Sequence, residues 1–155
     1  MNGIDFVTLS ITGQIIAAFF GTVAFSLLFG VPSRYYIHCG ICGMLGWTLY
    51  LILLRYAGFT PTEATLCGTL LVATLSRFMA VWFKCPTTVF LITGIFPMVP
   101  GGGIYWTIYY LVSGQLRHAL SSGSTALMVT VAIVFGIIVI NEIPGRFFKI
   151  FQRSN

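Results

Sequence analysis

Charge is scarce in this sequence. Only 7% of its 155 residues are charged, three acids against eight Lys and Arg, while 57% are hydrophobic. The mean hydropathy is +0.97. A soluble domain carries about 25% charged residues, so eleven charged side chains do not make a water-facing surface for this chain. The shortage of acids weakens any proton relay: Asp5 and Glu142 lie at the ends of apolar runs and Glu63 at a helix start, none clearly at mid-membrane. The basic residues stand singly between apolar runs, so the net charge of +5 is not a nucleic-acid patch. Scattered loop charges of this kind set membrane orientation. Neither a G-x-x-x-x-G-K-[ST] phosphate loop nor a Cys/His cluster with zinc-site spacing occurs. No catalytic residue, metal or cofactor is expected. Asp5 stands where a cleavable signal peptide would carry Lys or Arg.

What is present is a series of long uncharged runs. They cover 28 residues between Asp5 and Arg34, 20 between Arg34 and Arg55, 32 between Lys84 and Arg117, and 24 between Arg117 and Glu142. About 20 apolar residues cross the hydrocarbon as a helix. The expected class is an all-α integral membrane protein, a single polytopic domain over residues 1–155. Its spans lie near 6–30, 35–56, 61–83, 86–113 and 122–142. Thr60, Pro61 and Glu63 spell an N-cap, a first-position proline and a capping-box glutamate for the third span. Ser121, Ser122, Gly123, Ser124 and Thr125 read as the turn and cap before the last span, which Ile143, Pro144 and Gly145 end. Five spans put Arg34, Lys84, Arg146, Lys149 and Arg153 on one side, and Arg55 and Arg117 on the other. The positive-inside tendency then places the C-terminus in the cytoplasm and the N-terminus outside. A re-entrant hairpin at 86–113 would divide the basic residues almost evenly.

Helices in lipid pack through small residues. Gly13, Ala17, Gly21 and Ala24 mark such a face on the first span, and Cys39, Gly43 and Gly46, with Cys42 beside them, on the second. Thr62, Thr65, Thr69, Ala73, Ser76 and Ala80 mark one on the third. Cys39 and Cys42 also form a C-x-x-C, the motif of a membrane thiol-redox enzyme. That chemistry needs an accessible thiolate and commonly a second shuttling pair, so small-residue packing is the preferred reading. Arg77 lies inside the third span, about 10 Å deeper than Lys84. It either snorkels to the lipid phosphates or offers a positive charge to an anion inside the bundle.

The fourth span carries an interruption, "FPMVPGGGIYW", over residues 96–106. Pro97 is 13 residues after Lys84 and Gly103 is 14 before Arg117, so the break is central. Residues 87–96 and 103–113 make two half-spans of about 15 Å each. Pro97 and Pro100 cannot continue a helix, and Gly101, Gly102 and Gly103 can take conformations closed to other residues. Non-helical backbone at this depth must be buried in protein or line a wet cavity. The second half-helix then starts at mid-membrane with unpaired N–H groups that attract anions, the arrangement of many transporter substrate sites. The expected substrate-binding residues are Gly101, Gly102, Gly103 and Arg77, with Pro97 and Pro100 holding the break open.

The stretch "LSRFMAVWFKCPTTVFLITGIFPMVPGGGIYW", from Leu75 to Trp106, resembles the small membrane component of the threonine/serine exporter family. The most specific part is Pro97, Met98, Val99, Pro100 and Gly101 followed by glycines, with Ser76, Arg77 and Pro86 upstream. The short form without a soluble domain is similar to the smaller subunit of the two-component, succinate-exporter-like type. The resemblance implies a larger membrane subunit as partner and a small carboxylate substrate, either a dicarboxylate such as succinate or threonine/serine. It also implies a bacterial inner-membrane location. A non-transporting assembly or scaffold subunit is the competing reading.

Overall fold

The computed structural model describes residues 11–143. Residues 6–10 of the expected first span, and the Pro144, Gly145 stop signal, lie outside the described residues. Among the described residues six helices follow one another: α1 (Ile11–Leu28), α2 (Tyr36–Tyr56), α3 (Pro61–Phe83), α4 (Thr88–Ile95), α5 (Gly101–Val112) and α6 (Leu116–Glu142). Short 3₁₀ turns at Ser33–Tyr35 and Phe96–Met98 lead into α2 and out of α4. Four of the helices are long and apolar enough to cross a membrane, and α4 with α5 makes a fifth span bent by 49°. The protein is an all-α multi-pass membrane protein.

The direction of α6 decides how the broken span runs. Thr69 of α3 packs against Gly136 of α6, and Arg77, eight residues further along α3, donates to the carbonyls of Ile140 and Ile143. Both helices therefore advance in the same direction. The chain between two parallel membrane helices must return across the bilayer once, and α4 with α5 makes that return. The segment crosses; it does not re-enter.

Short hydroxylated and glycine side chains set the spacing of the bundle. On α2, Cys39, Gly40, Cys42, Gly43 and Gly46 are buried. On α3, Thr65, Thr69, Ala73, Ser76 and Ala80 of the expected face are buried, and Thr62, its first member, is half-buried. The face of α1 is not the expected one. Ala17 and Ala24 are exposed and Gly21 has open space beside it, while Ala18, Thr22 and Ser26 are buried. The physical reason is that Thr22 and Ser26 bond the carbonyls of Ala18 and Thr22, 2.7 and 2.9 Å away, so their hydroxyls are satisfied within the helix. Thr22 then packs directly onto Gly43, where no side chain would fit.

The capping box at the start of α3 is formed. The Thr60 N–H donates to the Glu63 carboxylate at 2.8 Å, and the Glu63 N–H to Thr60 Oγ1 at 3.4 Å. The expected cap of the last span is not formed. Helix α6 begins at Leu116 and runs straight through residues 121–125. Ser124 and Thr125 turn their hydroxyls back to the Ser121 carbonyl, and Gly123 receives Thr107 of α5. The turn lies earlier, at Gly114 (φ +71°). There Gln115 N–H donates to Tyr110 and Gly114 N–H to Leu111, a Schellman closure of α5.

Candidate functional site

The break is built by two missing donors. Pro97 and Pro100 remove the helical bonds to the carbonyls of Thr93 and Phe96. Both carbonyls are taken up by tighter bonds instead, Thr93 by the Phe96 N–H and Phe96 by the Val99 N–H. The chain thus tightens into a 3₁₀ turn, extends at Val99 (φ −61°, ψ 130°) and reverses at Pro100 (φ −78°, ψ 53°). The Gly101 N–H closes an inverse γ-turn on the Val99 carbonyl at 2.8 Å. The Ile104 N–H, 3.0 Å from the Pro100 carbonyl, then opens the α5 ladder.

This revises what the glycines do. Gly101, Gly102 and Gly103 form the first turn of α5, two residues earlier than the expected restart. Their φ angles are not positive; those of Gly30, Gly58 and Gly114 are. Unusual backbone conformation is therefore not their purpose. Gly101 and Gly102 are exposed with open space where a side chain would stand; the Gly101 N–H is taken by the γ-turn, and the Gly102 N–H lies in the first turn, which has no intrahelical acceptor. Gly103 differs, since a Cβ there would lie 3.1 Å from Ala126 Cβ of α6. It permits close helix packing.

The two halves of the span have opposite surroundings. Helix α4 buries Phe90, Leu91, Thr93, Gly94 and Ile95 between α2 and α3, whereas α5 buries none of its residues and packs chiefly on α6. Met98, only 4% exposed, pins the break to the bundle. Its side chain enters the gap between Gly46 of α2 and Gly68 of α3, where added Cβ atoms would lie 2.9 and 2.7 Å from it.

Beside this pin is a half-open cavity of about 160 Å³. Its walls are Trp47 and Tyr50 of α2, Thr65 of α3, Val129 of α6, and residues 97–100 of the break. The volume is close to the ~150 Å³ of an apolar cavity that holds benzene, and so suits a small metabolite. Trp47 and Tyr50 are stacked, with ring centroids 4.9 Å apart and planes 25° apart. None of the lining residues carries a charge. Thr65 is four residues into α3, about 6 Å from its start, while Trp47 and Val129 lie near the middles of their helices. The cavity therefore occupies the half of the bundle towards the α2–α3 turn.

The structure does not bring Arg77 to this place. Its Nη1 donates to the carbonyls of Ile140, Asn141 and Ile143, at 3.4 and 2.7 Å for the last two, and holds the C-terminal end of α6. A cation there also complements the helix dipole. Gly103 touches α6 at Ala126, 14 residues before Ile140, or about 21 Å along that helix. One small carboxylate does not reach both, so the expectation of a shared Arg77–glycine site is corrected. The C-x-x-C thiols are fully buried. Cys39 Sγ faces the Val89 carbonyl at 3.7 Å, and Cys42 Sγ faces Ser76 Oγ at 3.7 Å. A reacting thiolate requires access that this packing denies.

Sequence reasoning named Thr65 only as a packing residue and missed Trp47, Tyr50, Met98 and Val129 as parts of this site. The i, i+3 spacing of Trp47 and Tyr50, level with the break, was the available signal.

Residues 14–143 match the family model described as Threonine/Serine exporter, ThrE. The chain belongs to the threonine/serine exporter family. It is a transporter of that type, and the broken span with its cavity falls inside the matched region. No solved structure matches this exporter-family chain.

Proposed function

We propose that this chain is the small membrane subunit of a two-component exporter. Its substrate, a small carboxylate metabolite, occupies the cavity beside the break on its way out of a bacterial cell. The observation that carries the reading is a cavity walled by the non-helical residues 97–100 at the junction of two half-helices. Such junctions present helix-end N–H groups to carboxylates. Gly102 acts here through its first-turn N–H, the Gly101 N–H being held by the Val99 carbonyl. Arg77 acts at a distance, by fixing α6, whose Val129 forms one cavity wall.

A larger membrane subunit completes the exporter in this reading. Support comes from α5, where Gly101, Gly102, Tyr105, Trp106 and Tyr109 are all exposed. Lipid does not satisfy backbone polar groups at such depth, so protein or water must cover them. The scattered basic residues favour a cytoplasmic C-terminus and an outside N-terminus in the inner membrane. The cavity would then lie in the outer half of the bundle.

Efflux from preloaded cells tests the proposal. Cells expressing this chain together with its larger partner should release labelled threonine, serine or succinate several-fold faster than cells expressing either alone. Equal release from cells with the partner alone would contradict the transport role, and release that falls only in step with partner abundance would favour a scaffold.

A further inference from the structure

The cavity raises a question of charge. A substrate that enters it gives up part of its hydration, and none of its lining side chains carries a charge to meet it. An isolated ion in such a site is strongly disfavoured unless fixed dipoles replace its hydration. The carboxylate end has the Gly102 N–H of the first turn of α5, two residues beyond the pocket-lining Pro100. What a second charged group would meet is the stacked pair Trp47 and Tyr50.

We infer that Trp47 and Tyr50 are specificity-determining residues that seat a substrate ammonium group on their aromatic faces. Aromatic rings carry negative charge density on their faces and attract cations, Trp most strongly, and the effect grows when both partners are desolvated. The same faces repel a second carboxylate. The pair therefore selects zwitterionic amino acids against dicarboxylates and against hydroxy acids without nitrogen. The geometry agrees with this division of labour. The rings come from α2 and Pro97–Pro100 from the break, so the aromatic pair and the lead-in to α5 line one small pocket. Thr65, only 2% exposed, is a further wall residue and carries a hydroxyl. Its proton is already given to the Pro61 carbonyl at 2.7 Å, so towards the cavity it is an acceptor. An acceptor suits an ammonium or a substrate hydroxyl, and not a carboxylate.

The inference rests on the transport role proposed above, and its test separates the two. The measurement is threonine efflux against concentration, with 3-hydroxybutyrate, which is threonine without its ammonium, and succinate as comparison substrates. The full chain is used with its partner present. The wild type should prefer threonine. W47L and Y50L should each raise the KM for threonine about tenfold and erase the preference, while W47F and Y50F, which keep a ring face, retain most of it. A purely structural role would lower abundance and transport of all three substrates alike and leave the preference intact, overturning the inference. Equal wild-type transport of succinate or 3-hydroxybutyrate would overturn it too, while leaving the exporter role standing. No wild-type transport of any of the three would overturn the exporter role itself, and the inference with it.

Discussion

At the scale of the residue, the glycines of the break show how a visible interruption can carry a wrong reason. Three glycines after two prolines suggested backbone conformations that other residues avoid. The structure places all three in an ordinary helical turn, and the glycines with positive φ angles are others, Gly30, Gly58 and Gly114. The distinction has a consequence. An added methyl at Gly102 meets nothing within 4 Å, and alanine favours a helix over glycine by up to ~1 kcal/mol. Gly102→Ala should therefore leave thermal stability unchanged or slightly raised in the purified protein. If the uncovered backbone receives substrate, the same variant should lower threonine efflux several-fold. A stable variant with normal efflux would remove Gly102 from the site.

Single residues were legible where their chemistry is local. Thr60 and Glu63 formed the capping box that their spacing announced, because both partners lie within one turn. Arg77 was not legible. Its depth in the span was visible, but its partners are carbonyls at the far end of α6, 63 to 66 positions away in the chain. No sequence pattern within α3 records them.

At the scale of the element, hydrophobic length and charge spacing gave the spans, because crossing a bilayer imposes a length that composition reveals. Boundaries drawn from polar residues were weaker. The run from Ser121 to Thr125 looked like a turn, yet short hydroxyl side chains in a membrane helix bond their own carbonyls and continue it. The α1 face shifted by one position for the same reason, since Thr22 and Ser26 behave as small packing residues. Helix α6 also depends on Arg77. Hydrogen bonds from a charged donor contribute about 1.5–3 kcal/mol each when removed. Arg77→Ala should lower the melting temperature of the protein and expose the C-terminal turn of α6 to faster hydrogen exchange. The KM of the remaining transport should stay at the wild-type value. A raised KM in a variant of normal stability would return Arg77 to the substrate site.

At the scale of the whole molecule, the parallel course of α3 and α6 makes the broken segment a true crossing. Its two halves then divide the work. Helix α4 is buried in the bundle and anchors the break through Met98, while α5 leaves its aromatic face and first turn open. The fold class and the level of the break could be read from the sequence. The cavity could not, because Trp47, Tyr50, Thr65 and Val129 come together only when three helices pack around residues 97–100.

The central claim is that this cavity carries the substrate, and filling it is the most direct test. Val129 lines the cavity from α6 and is only 7% exposed. Val129→Phe adds bulk on that wall. Initial rates of threonine efflux from preloaded cells, measured at matched membrane abundance of the chain and its partner, should fall at least tenfold. Efflux at the wild-type rate through the filled variant would contradict the account.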